Sequence, residues 1–311
     1  MKLLQERCTG KDRDMEEEVK GLIFGIQHFS IHDGDGIRSN VFMKGCPLRC
    51  LWCHNPEGLA PAAELQYFEN KCRKCGKCGG ICHNLQTVSK ESQSIKETYA
   101  KGCPYGALEL VGEEMTAEEV LEEVCIDQAF FRTSKGGITL SGGEPMMQAD
   151  FVLELLKKSK EMGLSTAIET SGYSDQRNYE RILPYADEFL WDYKETDNVK
   201  HRELTGVENK KILENLRFLY QKGAVITLRC PVIPGVNDTE EHFRGIAGLI
   251  KELRNLKGWE IMPYHRMGIA KEKRLGKGES IEFSVPSKKV QEQWKQKILS
   301  YIGEESDVNV N

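Results

Sequence analysis

From Met115 onward the chain alternates short apolar runs with longer amphipathic ones, and no other feature restricts its fold as strongly. Gly137-Ile-Thr-Leu-Ser141, Leu164-Ser-Thr-Ala-Ile168, Glu188-Phe-Leu-Trp-Asp192, Ala224-Val-Ile-Thr-Leu228 and Trp259-Glu-Ile-Met262 read as strands. Helices are predicted from Thr116 to about Arg132, over 150–162, 176–185, 209–222 and 239–256, and from Lys288 to Ile302. Thr116 is placed to cap the first of these, with Glu118 and Glu119 in its opening turn. Strands that alternate with helices pair in parallel and take helical cover. Two earlier apolar runs, Leu22-Ile-Phe-Gly-Ile26 and Asn40-Val-Phe-Met43, flank a glycine-rich turn, Asp33-Gly-Asp-Gly36. The count is then near six strand–helix units. A complete eight-unit barrel takes about 250 residues without an insert. The expected class is therefore α/β, an incomplete (β/α)6 barrel.

Texture divides the chain of 311 residues further. Residues 1–20 read as a charged tail, 21–60 as the start of the core, 61–113 as an insert, 114–302 as the rest of the barrel and 303–311 as a second tail. The insert is rich in Cys, Lys and Gly and poor in periodic segments, so metal rather than a core is expected to organise it. A net charge of −5 gives no electrostatic basis for nucleic-acid binding. No apolar run is long enough to span a bilayer, and the first twenty residues lack the apolar stretch of a signal peptide. A cytoplasmic location is expected.

The eleven cysteines are clustered. In a reducing compartment such clusters point to metal or redox chemistry rather than disulfides. Cys8, Cys125 and Cys230 stand alone and read as incidental. Cys46, Cys50 and Cys53 lie within eight residues, in Gly45-Cys46-Pro-Leu-Arg-Cys50-Leu-Trp-Cys53-His-Asn-Pro56. Three thiolates can grip three irons of a cubane and leave the fourth iron open. The rival is a zinc knuckle completed by His54. Cys72, Cys75, Cys78 and Cys82 form the second group, with Cys103 beyond.

The first group, followed downstream by Gly142-Gly-Glu-Pro145 at a strand end, resembles the radical S-adenosylmethionine (SAM) superfamily. The resemblance implies that Cys46, Cys50 and Cys53 hold a catalytic [4Fe–4S] cluster and that Trp52 lies beside the adenine. It implies that Gly142, Gly143, Glu144 and Pro145 bind the methionine amino group. Glu144 would accept from the ammonium, and Gly-Gly would free backbone groups. Ile31-His-Asp-Gly-Asp-Gly-Ile-Arg38, Cys53-His-Asn-Pro-Glu57, Glu169-Thr-Ser-Gly172, Trp191-Asp-Tyr-Lys194, His201-Arg-Glu-Leu-Thr-Gly206, Leu228-Arg-Cys-Pro-Val-Ile-Pro-Gly235 and Met262-Pro-Tyr-His265 narrow it. These are similar, in order over residues 21–302, to the activating enzymes of glycyl radical enzymes. By that resemblance Glu169, Thr170 and Asp192 help hold a monovalent cation, and Lys194, Arg229 and His265 line the same cavity. Glu169 as a turn cap, Asp192 with Lys194 as a surface ion pair and His265 as a structural histidine are the plainer readings. The family commonly has Pro where Asp35 stands, in a turn read as part of the partner-docking surface.

The insert resembles half of a bacterial ferredoxin. By that topology Cys72, Cys75, Cys78 and Cys103 hold one auxiliary [4Fe–4S] cluster, and Cys82 is the alternative fourth ligand. Lys71, Arg73, Lys74 and Lys77 read either as a solvated charge run or as a landing patch for an acidic donor such as flavodoxin or ferredoxin. The implied chemistry is reductive cleavage of SAM to a 5′-deoxyadenosyl radical, which takes hydrogen from a glycine of a separate enzyme. Action on a small molecule is the alternative, and a ferredoxin-like electron carrier, which has no use for Gly142–Pro145, the third reading.

Overall fold

The computed structural model describes residues 18–278 and 281–303. Cys8 and most of both predicted tails lie outside them. Among the described residues ten strands form: β1 (Lys20–Ser30), β2 (Arg38–Met43), β3 (Glu64–Tyr67), β4 (Leu108–Val111), β5 (Glu113–Thr116), β6 (Gly137–Gly142), β7 (Ser165–Thr170), β8 (Glu188–Asp192), β9 (Ile226–Val232) and β10 (Gly258–Pro263). Eight make one sheet in the order β10-β9-β8-β7-β6-β2-β1-β5. From β2 to β10 all neighbours are parallel, giving six parallel strands. β1 runs antiparallel to β2, and β5 antiparallel to β1. Asn40–Met43, not Leu22–Ile26, thus supplies the first barrel strand.

The strands are nearly continuous apolar runs because both faces are covered. Leu140, Ile168, Phe189, Trp191 and Leu228 are fully buried against helices such as Ala149–Glu161, Lys210–Gln221 and Glu240–Glu252. The predicted helix over 116–132 divides. Thr116 and Glu119 form a capping box on Ala117–Val124, then a turn at Cys125–Asp127 leads into Gln128–Ser134. Buried Asp127 causes the break: it accepts from Ser39 Oγ at 2.6 Å and meets His28 Nδ1 at 2.8 Å.

Buried Arg38 closes the N-terminal end of the barrel, donating to Thr139 Oγ1 at 2.6 Å and to the carbonyls of Asp35, Ile138 and Ser165. Asp35 lies at this end, paired with Lys257 at 2.8 Å. The cysteine loop follows the opposite end of β2.

Residues 64–111 form an antiparallel β3–β4 ribbon with a helix at Gln93–Gly102. Contrary to the sequence reading, the insert has a small core of its own, made by Leu65, Leu85, Val88 and Leu108. No helix among the described residues is long and apolar enough to cross a membrane.

Candidate active site

At the C-terminal ends of the parallel strands, Cys46, Cys50 and Cys53 line one cavity of about 160 Å³. Its walls include Trp52, Gly142, Gly143, Glu169, Thr170, Asp192 and Lys194. Of the SAM-site residues inferred from sequence, Glu144, Pro145, Arg229 and His265 do not reach it.

The cysteine loop is held by its backbone. Cys46 N donates to Leu59 O at 3.2 Å, Arg49 N to Thr205 O at 2.6 Å and Leu51 N to Leu204 O at 3.0 Å. The last two acceptors end a helix, Asn198–Thr205, absent from the sequence reading. It carries no apolar stripe to betray it. Gly142 and Gly143 are required by close packing. A Cβ on Gly143 would lie 2.3 Å from Gly45 O, and one on Gly142, whose φ is +116°, 2.3 Å from Met43 N. The two glycines thus lock the end of β6 onto the start of the loop, with Glu144 N donating to Gly45 O at 2.7 Å.

Glu144 itself is fully buried, and its acceptors are taken. Oε1 receives Met146 N at 3.2 Å and Thr170 Oγ1 at 2.7 Å. Oε2 receives Ser171 N at 2.8 Å and Ser171 Oγ at 2.6 Å. Burial pushes its carboxyl up, and these donors oppose the rise. In this arrangement Glu144 braces β6 against the end of β7 and presents no free acceptor to the cavity. Thr170 and Ser171, which it holds, do line the cavity.

Glu169 accepts from Ser141 Oγ and pairs with Arg229 Nη1 at 2.6 Å. Arg229 is 1% exposed and also meets Asp33 at 3.1 Å and Glu260 at 2.9 Å, the latter its neighbour across the β9–β10 register. Burial opposes its charge, but Glu169, Glu260 and Asp33 hold it above its usual range. Asp192 pairs with Lys194 Nζ at 2.6 Å. Burial opposes the Lys194 charge too; Asp192 and the Cys50 and Cys46 sulfurs outweigh it. The cavity therefore sets a fixed cation and carboxylates beside three thiols.

Burial pushes the Cys46 and Cys53 thiols up to about 12 and raises Cys50 as well. Ligation as thiolates would therefore displace these protons to solvent as a metal centre binds. Among the described residues no three of His, Cys, Asp and Glu converge on one ion, and His54 stacks on His265 with centroids 3.6 Å apart. Three thiols lining one cavity suit the three occupied corners of a cubane cluster.

A larger groove of about 460 Å³ adjoins the cavity, with His54, Asn55, Glu169 and Met262 lining both. Arg229 and His265 line this groove rather than the cavity. It lies between β1 and β2 on one side and the end of β10 on the other, where the sheet does not close. His54 Nε2 and His265 Nδ1 are buried without a partner. Burial holds His54 near 4 and lowers His265, so both rings are neutral at pH 7. Helix Met267–Arg274, also missed from sequence, backs the loop: a Cβ on Gly268 would lie 2.1 Å from Cys53 O. Lys271 of that helix meets Asn55 and Glu57, each at 2.8 Å.

In the insert, Cys72, Cys75, Cys78, Cys82 and Cys103 line a cavity of about 340 Å³ with Arg73, Lys74 and Lys77 and no carboxylate. Cys103 Sγ accepts from Ala107 N at 3.2 Å. Burial would raise this thiol, but backbone N–H groups of Tyr105, Ala107 and Leu108 bring it below its usual value. Burial and the Cys78 contact raise Cys82. Of the isolated cysteines, Cys230 is buried in the core and Cys125 half-buried.

Six parallel strands of the sheet thus carry three cysteines and a glycine pair at their C-terminal ends, the donor set of an iron–sulfur enzyme. Residues 40–246 match the Radical SAM superfamily, and the chain belongs to it. It is 41% identical over 275 residues to the choline trimethylamine-lyase activating enzyme of Oleidesulfovibrio alaskensis, covering 83% of this chain and 88% of that one. It is 39% identical over 286 residues to the trans-4-hydroxy-L-proline dehydratase activating enzyme of Clostridioides difficile, covering 88% and 94%. A radical SAM methyltransferase from Sphaerobacter thermophilus superposes with a TM-score of 0.50 at 14% identity, over 90% of this chain and 74% of that one, a likeness of fold.

Proposed function

We propose that this chain is an activase, which uses SAM to take a hydrogen atom from a glycine of a separate glycyl radical enzyme. The observation that carries the reading is the groove at the open side of the barrel, which shares walls with the thiol-lined cavity. A small substrate needs only the cavity. A polypeptide segment needs the groove.

The residues fit the implied groups. Cys46, Cys50 and Cys53 would hold the catalytic cluster, leaving one iron for SAM. Trp52 would pack on the adenine, the Gly142–Gly143 backbone would meet the methionine end, and Lys194 would neutralise its carboxylate. Glu169, Thr170 and Asp192 would flank a monovalent cation. Cluster and SAM together supply the one-electron chemistry that ends in hydrogen abstraction. The chain's part is to orient and to exclude water: the glycine lock fixes the loop, Glu144 fixes Thr170 and Ser171, and buried Trp52 closes the wall. No general acid–base pair is needed. Arg229 and His265, in the groove, would position the incoming segment.

Cys72, Cys75, Cys78 and Cys103 would hold the auxiliary cluster. Backbone donors at Cys103 favour its thiolate over that of Cys82. Lys71, Arg73, Lys74 and Lys77 would receive an acidic one-electron donor, a flavodoxin or ferredoxin. The reducing cytoplasm suits such a protein.

The test is turnover with and without protein substrate. Anaerobic, reconstituted and reduced chain is mixed with SAM and a panel of glycyl radical enzymes. Release of 5′-deoxyadenosine that rises stoichiometrically with one of them is expected. Equal, multiple turnover on a small molecule alone would favour the alternative.

A further inference from the structure

The auxiliary site holds five thiols where a cubane takes four. The surplus thiol is not remote. Cys82 Sγ lies 3.9 Å from Cys78 Sγ, in van der Waals contact. The linking residues, Gly79-Gly80-Ile81, are unusually compliant. Both glycines adopt left-handed conformations, at φ 61° and 81°, with nothing packed where a side chain would be. A disulfide needs its sulfurs at about 2.05 Å. Rotation of two side chains on such a loop can close the gap.

We infer that Cys78 and Cys82 form a redox-modification site that locks the auxiliary centre after its cluster is lost. The inference rests on the reading that Cys103, not Cys82, completes the cluster. With the cluster present, Cys78 is bound to iron and Cys82 is idle. When oxygen destroys the cluster, the freed Cys78 thiol lies against Cys82. One S–S bond forms. The two thiols give up two protons and two electrons to dioxygen, which leaves as hydrogen peroxide. One of four ligands is then withdrawn, and the cluster cannot be rebuilt until a dithiol reduces the bond by exchange. The insert would thereby stay empty under oxygen and reload only when reducing conditions return.

The sequence makes the bond easy to read. Trypsin releases Cys78–Lys90 as one peptide containing both cysteines and no other. The full chain is stripped of clusters, fully reduced without oxygen, then exposed to air-saturated buffer, alkylated and digested. The expected product is Cys78–Lys90 without alkyl groups and lighter by two hydrogens, with Cys75 and Cys103 alkylated. A doubly alkylated Cys78–Lys90 peptide, or one cross-linked to Cys75 or Cys103, overturns the inference.

Iron content separates its two layers. After the same air exposure, the Cys82→Ser chain should regain its full iron and sulfide without reductant. The native chain should regain the auxiliary share only after dithiothreitol. Equal recovery by the native chain overturns the lock. Loss of the auxiliary iron from Cys82→Ser that never met oxygen overturns the Cys103 assignment beneath it.

Discussion

Glu144→Ala separates a brace from a ligand contact. In the structure the carboxylate receives four hydrogen bonds while fully buried. Two donors, Ser171 Oγ and Thr170 Oγ1, are hydroxyls that can turn away, and Thr170 has Tyr179 Oη at 3.0 Å. The other two, the Met146 and Ser171 N–H groups, cannot turn. Each buried backbone donor left unsatisfied costs about 1–3 kcal/mol. Removing a carboxylate whose burial is itself unfavourable offsets part of this, leaving a net loss of about 2–5 kcal/mol. For a domain of this size each kcal/mol moves Tm by roughly 2–4 °C, so a fall on the order of 10 °C is expected. Glu144→Gln should fall between, since its amide turns one acceptor edge into a donor facing Ser171. The assays are scanning calorimetry on the cluster-free chain and SAM titration on the loaded one. Both should weaken together, because Thr170 and Ser171 line the cavity. An unchanged Tm with abolished SAM affinity would refute the brace and restore a direct contact with the ammonium.

Other outcomes follow from the same geometry. Gly268→Ala places a carbon 2.1 Å from Cys53 O, so it should displace the loop and lower the iron held by Cys46, Cys50 and Cys53 while the insert keeps its own; iron counting and paramagnetic resonance distinguish the two. His242 is buried, with Nδ1 2.9 Å from Thr196 Oγ1 and Nε2 unpartnered, and burial lowers it to about 3. Its unfolded value near 6.5 lies above that, so the unfolded chain binds the proton first: stability is complete above pH 6.5 and is lost as pH falls toward 3, by roughly 2 kcal/mol at pH 5. His242→Gln should flatten thermal stability between pH 6.5 and 5, and an unaltered slope would contradict this. Neutralising Lys71, Arg73, Lys74 and Lys77 together should slow reduction by an acidic carrier several-fold at low salt and weaken its salt dependence; unchanged stopped-flow rates would make the patch a solvated loop.

The barrel was legible because its parallel strands are buried on both faces, which writes unbroken apolar runs such as Phe189–Trp191 into the sequence. The thiols and the glycine pair were legible because cluster ligation and close packing each tolerate one residue type. The side chains around them were less so. Glu144 reads from sequence as a free acceptor; only the fold shows Ser171 and Met146 occupying it. Arg229 reads as a cavity residue, yet the β9–β10 register and the turn before β2 surround it with Glu260 and Asp33 in the groove. Helices Asn198–Thr205 and Met267–Arg274 escaped because each is short and mostly half-exposed, with only two buried residues on the first and one on the second. The insert's core escaped for a different reason: its four buried apolar residues are spread over forty-four positions, Leu65 to Leu108, and show no period.

The most direct test of the account is anaerobic electron paramagnetic resonance on the reconstituted, reduced chain mixed with SAM and a candidate glycyl radical enzyme. The account predicts a glycine-centred radical on the partner, absent when Cys46, Cys50 and Cys53 are replaced by Ala. Intact clusters with neither that signal nor 5′-deoxyadenosine, across a panel of such partners, would contradict it.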